Sequence, residues 1–197
     1  PLKVKLREPF IISLGRLDYA DNVIVKITTS NGIIGFGECS PFRTIHGETP
    51  ETCIAVGKII TEVFIGKNAL QIEELVALMD KVIFGNSSIK SAFDIALYDI
   101  ASQNAKVPLY KFLGGKNDKQ IHTDYTVSID SAEKMAADAR KILDAGFPVI
   151  KVKLGGSPED DIFRMKSIRA AVGDVIPIRI DANQGWSKED AIFILNE

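Results

Sequence analysis

Apolar and polar residues alternate through the first forty positions, and then the period changes. "FIISLGRL" (10–17), "NVIVKITTS" (22–30) and "GIIGFGECS" (32–40) are β-rich runs that read as a meander, with "SNG" at 30–32 as the hairpin turn between the last two. From Thr49 onward the apolar residues recur every three or four positions, the period of a helix with one buried face. Thr49 is placed as an N-cap, Pro50 at the first helical position and Glu51 in the first turn. Two further helical stretches follow, "QIEELVALMDKVIFG" and "NSSIKSAFDIALYDIASQNAK", the second capped by Asn86 or Ser87. "VPLYKFLGG" (107–115) breaks the pattern with Pro108 and two glycines.

Beyond it the chain repeats a strand and a helix in units of about 30 residues, the signature of a parallel α/β sheet or barrel. "KQIHTDYTVSI", "FPVIKVKLGG" and "VIPIRIDANQGW" are the strands. The helices between them open at Asp130 or Ser131 and at Ser157–Pro158, and close at Gly146 and Gly173; "SKEDAIFILNE" starts a third. Residues 1–113 thus read as an α+β domain and 116–197 as three βα units. Three such units cannot close a (β/α)8 barrel. The sequence therefore reads as the N-terminal portion of a longer protein, with a small open α/β sheet as the alternative.

Within "FPVIKVKLGG" every position suits a strand covered on both faces except Lys151 and Lys153. Residues two apart share a face, so both ammonium groups point the same way. They could snorkel past the strand end into water. Asp181, however, ends the next strand one unit later, where α/β proteins build their sites, with Asn183 on the same face. Two adjacent ammonium groups disfavour each other's charge and should lower the pKa of at least one, which lets a lysine accept a proton near neutrality. A neighbouring carboxylate suits a hard cation such as Mg²⁺. Base plus metal is the equipment for removing a proton next to a carboxylate and stabilising the enediolate. A Schiff-base aldolase would also use a low-pKa lysine, but it leaves the second lysine and Asp181 without clear jobs. A non-catalytic half-barrel with a binding role is the third reading.

"KVKLG" followed one unit later by "RIDANQGW" resembles the enolase superfamily, specifically its muconate lactonizing enzyme subgroup. "GIIGFGECSPF" and "FDIALYDIASQNAKVPLYKFLGG" are similar to parts of that subgroup's capping domain, and "TDYTVSI" is similar to the first barrel strand of its dipeptide epimerases. The resemblance implies an α+β N-terminal capping domain over 1–113, followed over 116–197 by the first three βα units of a (β/α)8 TIM-type barrel. It implies an isomerase: a Mg²⁺-dependent dipeptide epimerase of the L-Ala-D/L-Glu type, with muconate cycloisomerase or o-succinylbenzoate synthase chemistry as alternatives. Carried over residue by residue, Lys153 is the acid/base on one face of the substrate, Lys151 tunes it, Asp181 is the first metal ligand and Asn183 supports it. Thr126 would contact the dipeptide. Arg16 and His46 fall in "LGRLDY" and "FRTIHGET", where the family's two specificity loops lie. The family's other metal carboxylates and its second lysine fall on later strands, so these 197 residues alone are expected to be inactive.

Composition narrows the partners. A formal net charge of −2 offers no basic face for nucleic acid or an acidic membrane. No run approaches the roughly 18 apolar residues of a membrane span. The two cysteines, Cys39 and Cys53, lack metal spacing and read as free thiols in a reducing cytoplasm, with a disulfide as the alternative. A small-molecule dipeptide and other copies of the same chain, in a homo-oligomer, are the expected partners.

Overall fold

The computed structural model describes residues 1–197. The chain divides into two compact units: Pro1–Lys5 with Tyr19–Lys119, and Leu6–Asp18 with Gln120–Glu197.

Three strands, β1 (Leu2–Ile12), β2 (Gly15–Thr28) and β3 (Ile34–Cys39), form one sheet in the order β1-β2-β3. The run at 10–17 is therefore not one strand. The chain turns at Ser13 and Leu14, and the hairpin tip, Leu6–Asp18, groups with the second unit. The expected turn at 30–32 is present, and β2 and β3 pair antiparallel with Val25 opposite Gly37.

In the first unit, after a one-turn α1 (Arg43–His46), come α2 (Pro50–Phe64), α3 (Ile72–Val82) and α4 (Ser87–Asn104). Thr49 caps α2 as expected, accepting the Thr52 N–H, with Pro50 in the first turn. Asn86 holds the cap position of α4 but makes no side-chain cap bond there. After Pro108 the chain does not simply break; it winds one more turn, α5 (Leu109–Phe112). Alternate residues of β2 and β3 bury Val23, Val25 and Cys39 against Val56, Ile60, Met79 and Phe93 from the helices. The contact with α4 is made by glycines. A Cβ on Gly37 would lie 1.8 Å from the Ala92 carbonyl oxygen, and one on Gly35 2.2 Å from that of Ala96. Nothing larger fits between this strand and this helix.

In the second unit, β4 (Tyr125–Val127), α6 (Ala132–Asp144), β5 (Ile150–Lys153), α7 (Pro158–Val172), β6 (Ile178–Asp181) and α8 (Lys188–Asn196) alternate. The strands are parallel in the order β4-β5-β6. β4 is shorter than its sequence run, because residues 119–124 leave even the apolar Ile121 89% exposed. Ser131, Ser157 and Ser187 cap the three helices through their hydroxyls. Ile150, Val152 and Val127 face the helices and join Met135, Ile142 and Ile168 in a second core. That orientation leaves Lys151 and Lys153 on the opposite face of the sheet.

Candidate active site

The site is built where β5 and β6 end. Lys153 and Asp181 are register partners on these strands. Lys153 Nζ donates to Asp181 Oδ2 at 2.7 Å, and Lys151 Nζ reaches the same oxygen at 3.0 Å. Asp181 Oδ1 accepts the Asn183 N–H at 3.0 Å. Lys153 is buried, 6% exposed, whereas Lys151 is half-buried. The Lys153 hydrogen bond, above all, holds the Asp181 carboxyl well below the usual carboxylate range. Lys151 is raised, foremost by its hydrogen bond to Asp181. For Lys151 the neighbouring carboxylate, rather than the second ammonium, sets the direction. The carboxylate lies within reach of both lysines and outweighs the burial that would lower Lys151.

Supporting groups surround this trio. The Phe10 ring lies 5.8 Å from Lys153 Nζ. After Asp181 the chain passes through two consecutive left-handed residues, Asn183 and Gln184. Ser13 Oγ lies 2.9 Å from the Ala182 carbonyl oxygen and 2.8 Å from that of Asn183, sharing its proton between them. Thr126, half-buried on β4, is the register partner of Lys151, which in turn pairs with Arg179 on β6. Arg179 is held by Asp124 at 2.9 Å.

The second unit therefore brings Lys151, Lys153, Asp181 and Thr126 together on one sheet, with Asn183 in the turn just beyond Asp181. Arg16 belongs to the same unit, at the hairpin tip, where its exposed guanidinium pairs with Asp18 at 2.9 Å. His46 lies in the first unit, exposed, as the last residue of α1. Phe10, Ser13, Asp161 and Trp186 were not singled out by sequence reasoning. Asp161 stands among three consecutive acidic residues, and composition alone does not say which of them turns inward.

Toward a hard cation the donors fit in part. Asp181 offers carboxylate oxygens, and the Asn183 Oδ1, two residues on, is a hard oxygen buried without a hydrogen-bond partner. No group of three or more His, Cys, Asp or Glu side chains that could hold a metal ion occurs in the chain.

An α+β unit and parallel βα units, with lysines ending one strand and a carboxylate the next, make an α/β protein with a candidate site at its strand ends. The chain belongs to the mandelate racemase / muconate lactonizing enzyme family: the profile of that family's N-terminal domain matches residues 2–114, and the enolase C-terminal domain-like profile matches residues 134–197. Over 98% of its length it is 61% identical to the D-Ala-D/L-Ala epimerase of Cytophaga hutchinsonii, covering 52% of that protein. It is 39% identical over its whole length to the L-Ala-D/L-Glu epimerase of Clostridium acetobutylicum, covering 55% of it. A solved structure of the Cytophaga hutchinsonii dipeptide epimerase, complexed with Mg and D-Ala-L-Val, superposes with a TM-score of 0.97 at 59% identity, over 99% of this chain and 53% of that one. The chain spans about half the length of the curated relatives it matches. The expected fold, a capping domain followed by part of a barrel, is thus found. No helix is long and apolar enough to cross a membrane.

Proposed function

We propose that the whole protein to which these residues belong is a Mg²⁺-dependent dipeptide epimerase, in which Lys153 moves the proton at the α-carbon on one face of the substrate. The observation that carries this reading is the buried Lys153 ammonium 2.7 Å from Asp181, at the ends of adjacent parallel strands. A buried lysine held by a carboxylate is oriented for transfer to one point, which is what a general acid–base requires. Lys151 supplies a second positive charge beside it and would help neutralise the substrate carboxylate as charge develops there. Thr126, beside Lys151, would position the dipeptide backbone. Arg16, released from Asp18, would meet a distal carboxylate, and His46 would serve a second specificity loop.

Asp181 would be one ligand of the Mg²⁺, with Asn183 supporting it; the bound ion would supply positive charge next to the substrate carboxylate. The remaining ligands and the acid–base group for the opposite face belong, in this reading, to the rest of the protein. The 197 residues are accordingly inactive by themselves. We divide them into a capping domain, 1–113, and a partial barrel domain, 116–197, and read the whole as a cytoplasmic homo-oligomer. Free, buried Cys39 and Cys53 accord with a reducing compartment.

The relatives' names share an alanine-containing dipeptide and differ in its partner residue. A panel of Ala-Ala, Ala-Glu and hydrophobic dipeptides, assayed against muconate and succinylbenzoate precursors with the full-length protein and Mg²⁺, tests the reading. Epimerisation of an alanine dipeptide is expected; activity on the precursors alone would refute it.

A further inference from the structure

Asp161 has no part in the roles above, yet it is 0% exposed. A carboxylate shut off from water must have its lone pairs met by donors. Its Oδ2 accepts the Gly155 N–H at 2.8 Å, the Gly156 N–H at 2.9 Å and the Trp186 Nε1–H at 2.8 Å. Its Oδ1 accepts from Arg164 Nη1 at 2.8 Å, and Arg164 Nε is itself anchored on the Asp130 carbonyl.

Arg164 shares α7 with Asp161, but the other three donors come from two different loops. Gly155 and Gly156 follow Lys153 directly, and Trp186 closes the turn that follows Asp181. These loops also touch backbone to backbone. A Cβ on Gly155 would lie 2.7 Å from the Ala182 carbonyl oxygen, and one on Gly185 2.6 Å from the Gly155 Cα. β5 is continued across this seam by the Leu154 N–H, which donates to the Asp181 carbonyl at 3.1 Å.

We propose that Asp161 is a positioning residue: it clamps the loop after Lys153 to the loop after Asp181, and so fixes the lysine against the carboxylate. The proposal rests on the reading of Lys153 and Asp181 as the reacting centre. Capping α7 does not account for the arrangement, because Ser157 already caps that helix. A purely structural role would lower stability and leave the chemistry of the folded enzyme unchanged.

The test uses the full-length protein with Trp186→Phe, Asp161→Ala and Asp161→Asn, and Glu159→Gln as an exposed control on the same helix. Trp186→Phe keeps an aromatic ring, though a smaller one, and removes the indole donor, so it remains informative if Asp161→Ala fails to fold. In the folded variants kcat for dipeptide epimerisation falls about 10- to 100-fold, as small misplacements of a reacting group do. KM stays within about twofold, because the loss belongs to the transition state. Asp161→Asn, whose carbonyl oxygen can still accept the N–H groups, retains more activity than Asp161→Ala. Hydrogen exchange followed by mass spectrometry supplies a readout independent of activity: in Asp161→Ala, exchange rises together at 154–157 and 182–187. A folded variant with unchanged kcat, or with faster exchange in the first loop alone, overturns the clamp. If the wild-type protein epimerises no dipeptide, the functional reading falls and the exchange result decides the clamp by itself.

Discussion

Lys153 and Asp181 are opposite one another in the register of two parallel strands, and their charged groups meet at 2.7 Å. A strand pairing, fixed by backbone hydrogen bonds and by the apolar residues on the other face, thereby sets the distance between an ammonium group and a carboxylate. A one-residue slip of β6 would turn Asp181 toward the helices and Ile180 toward the lysines.

From this follows the expected effect of removing the ammonium. In the full-length protein, Lys153→Ala lowers kcat by about 10²- to 10⁴-fold, the usual contribution of general acid–base catalysis. Lys151→Ala, which removes only the half-buried neighbour, costs less. Steady-state kinetics on an alanine dipeptide measures both, and a Lys151→Ala loss exceeding that of Lys153→Ala would reverse the assignment.

The metal assignment predicts that chelation by EDTA abolishes activity and added Mg²⁺ restores it. Asp181→Asn raises the Mg²⁺ concentration needed for half-maximal activity by at least about tenfold, since lesser changes around metal ligands already cost 10- to 100-fold. Borohydride in the presence of a carbonyl substrate leaves Lys153 unmodified. Trapping of Lys153 as a secondary amine would instead favour Schiff-base chemistry.

Much of this was legible in the sequence, for identifiable reasons. The lysines at 151 and 153 declared their shared face because strand periodicity is rigid. Thr49, Ser157 and Gly173 marked helix ends because capping is a local matter of backbone geometry. What stayed hidden was set by contacts distant in sequence. The turn at Ser13 and Leu14 carries no Asn-Gly or Asp-Gly hairpin signal, and Ser13 acts on carbonyl groups about 170 positions away. The raised Lys151 could not be foreseen from two adjacent ammonium groups, because the sign depended on where Asp181 came to rest. Nor could Asp161 be told from Glu159 and Asp160 before α7 was packed.

The first unit carries a pH prediction of its own. Glu48 is buried, 5% exposed, and accepts the Ser88 N–H at 3.0 Å and the Cys53 thiol at 3.5 Å. Burial alone would raise its carboxyl, but these hydrogen bonds prevail and hold it below its ordinary value. A carboxyl lowered in the folded state adds stability that is fully present above its unfolded pKa of about 4.3 and is lost as pH falls through the folded value. Glu48→Gln should therefore flatten the decline of thermal stability in acid below about pH 4.3. An equally steep decline in the variant would contradict this linkage.

Two glycines make opposite predictions. Gly37→Ala would drive a Cβ to 1.8 Å from the backbone oxygen of Ala92, so β3 and α4 must separate. A loss of about 3 kcal/mol is expected, at the upper end of ordinary overpacking. Gly57, inside α2, would meet only Ile89 and Phe93 side chains, at 3.5 Å and beyond. There, Gly57→Ala should stabilise by about 0.5 to 1 kcal/mol through helix propensity alone. Urea denaturation of the full-length variants measures both, and equal effects of the same sign would contradict the packing described.

The central claim, that Lys153 moves the α-proton of a dipeptide, is tested most directly by deuterium incorporation in D₂O followed by proton NMR. The full-length protein with Mg²⁺ should exchange the α-hydrogen of an alanine dipeptide as it epimerises it. Lys153→Ala should abolish exchange of the one epimer whose α-hydrogen faces Lys153. Undiminished exchange of both epimers by the folded variant would contradict the account.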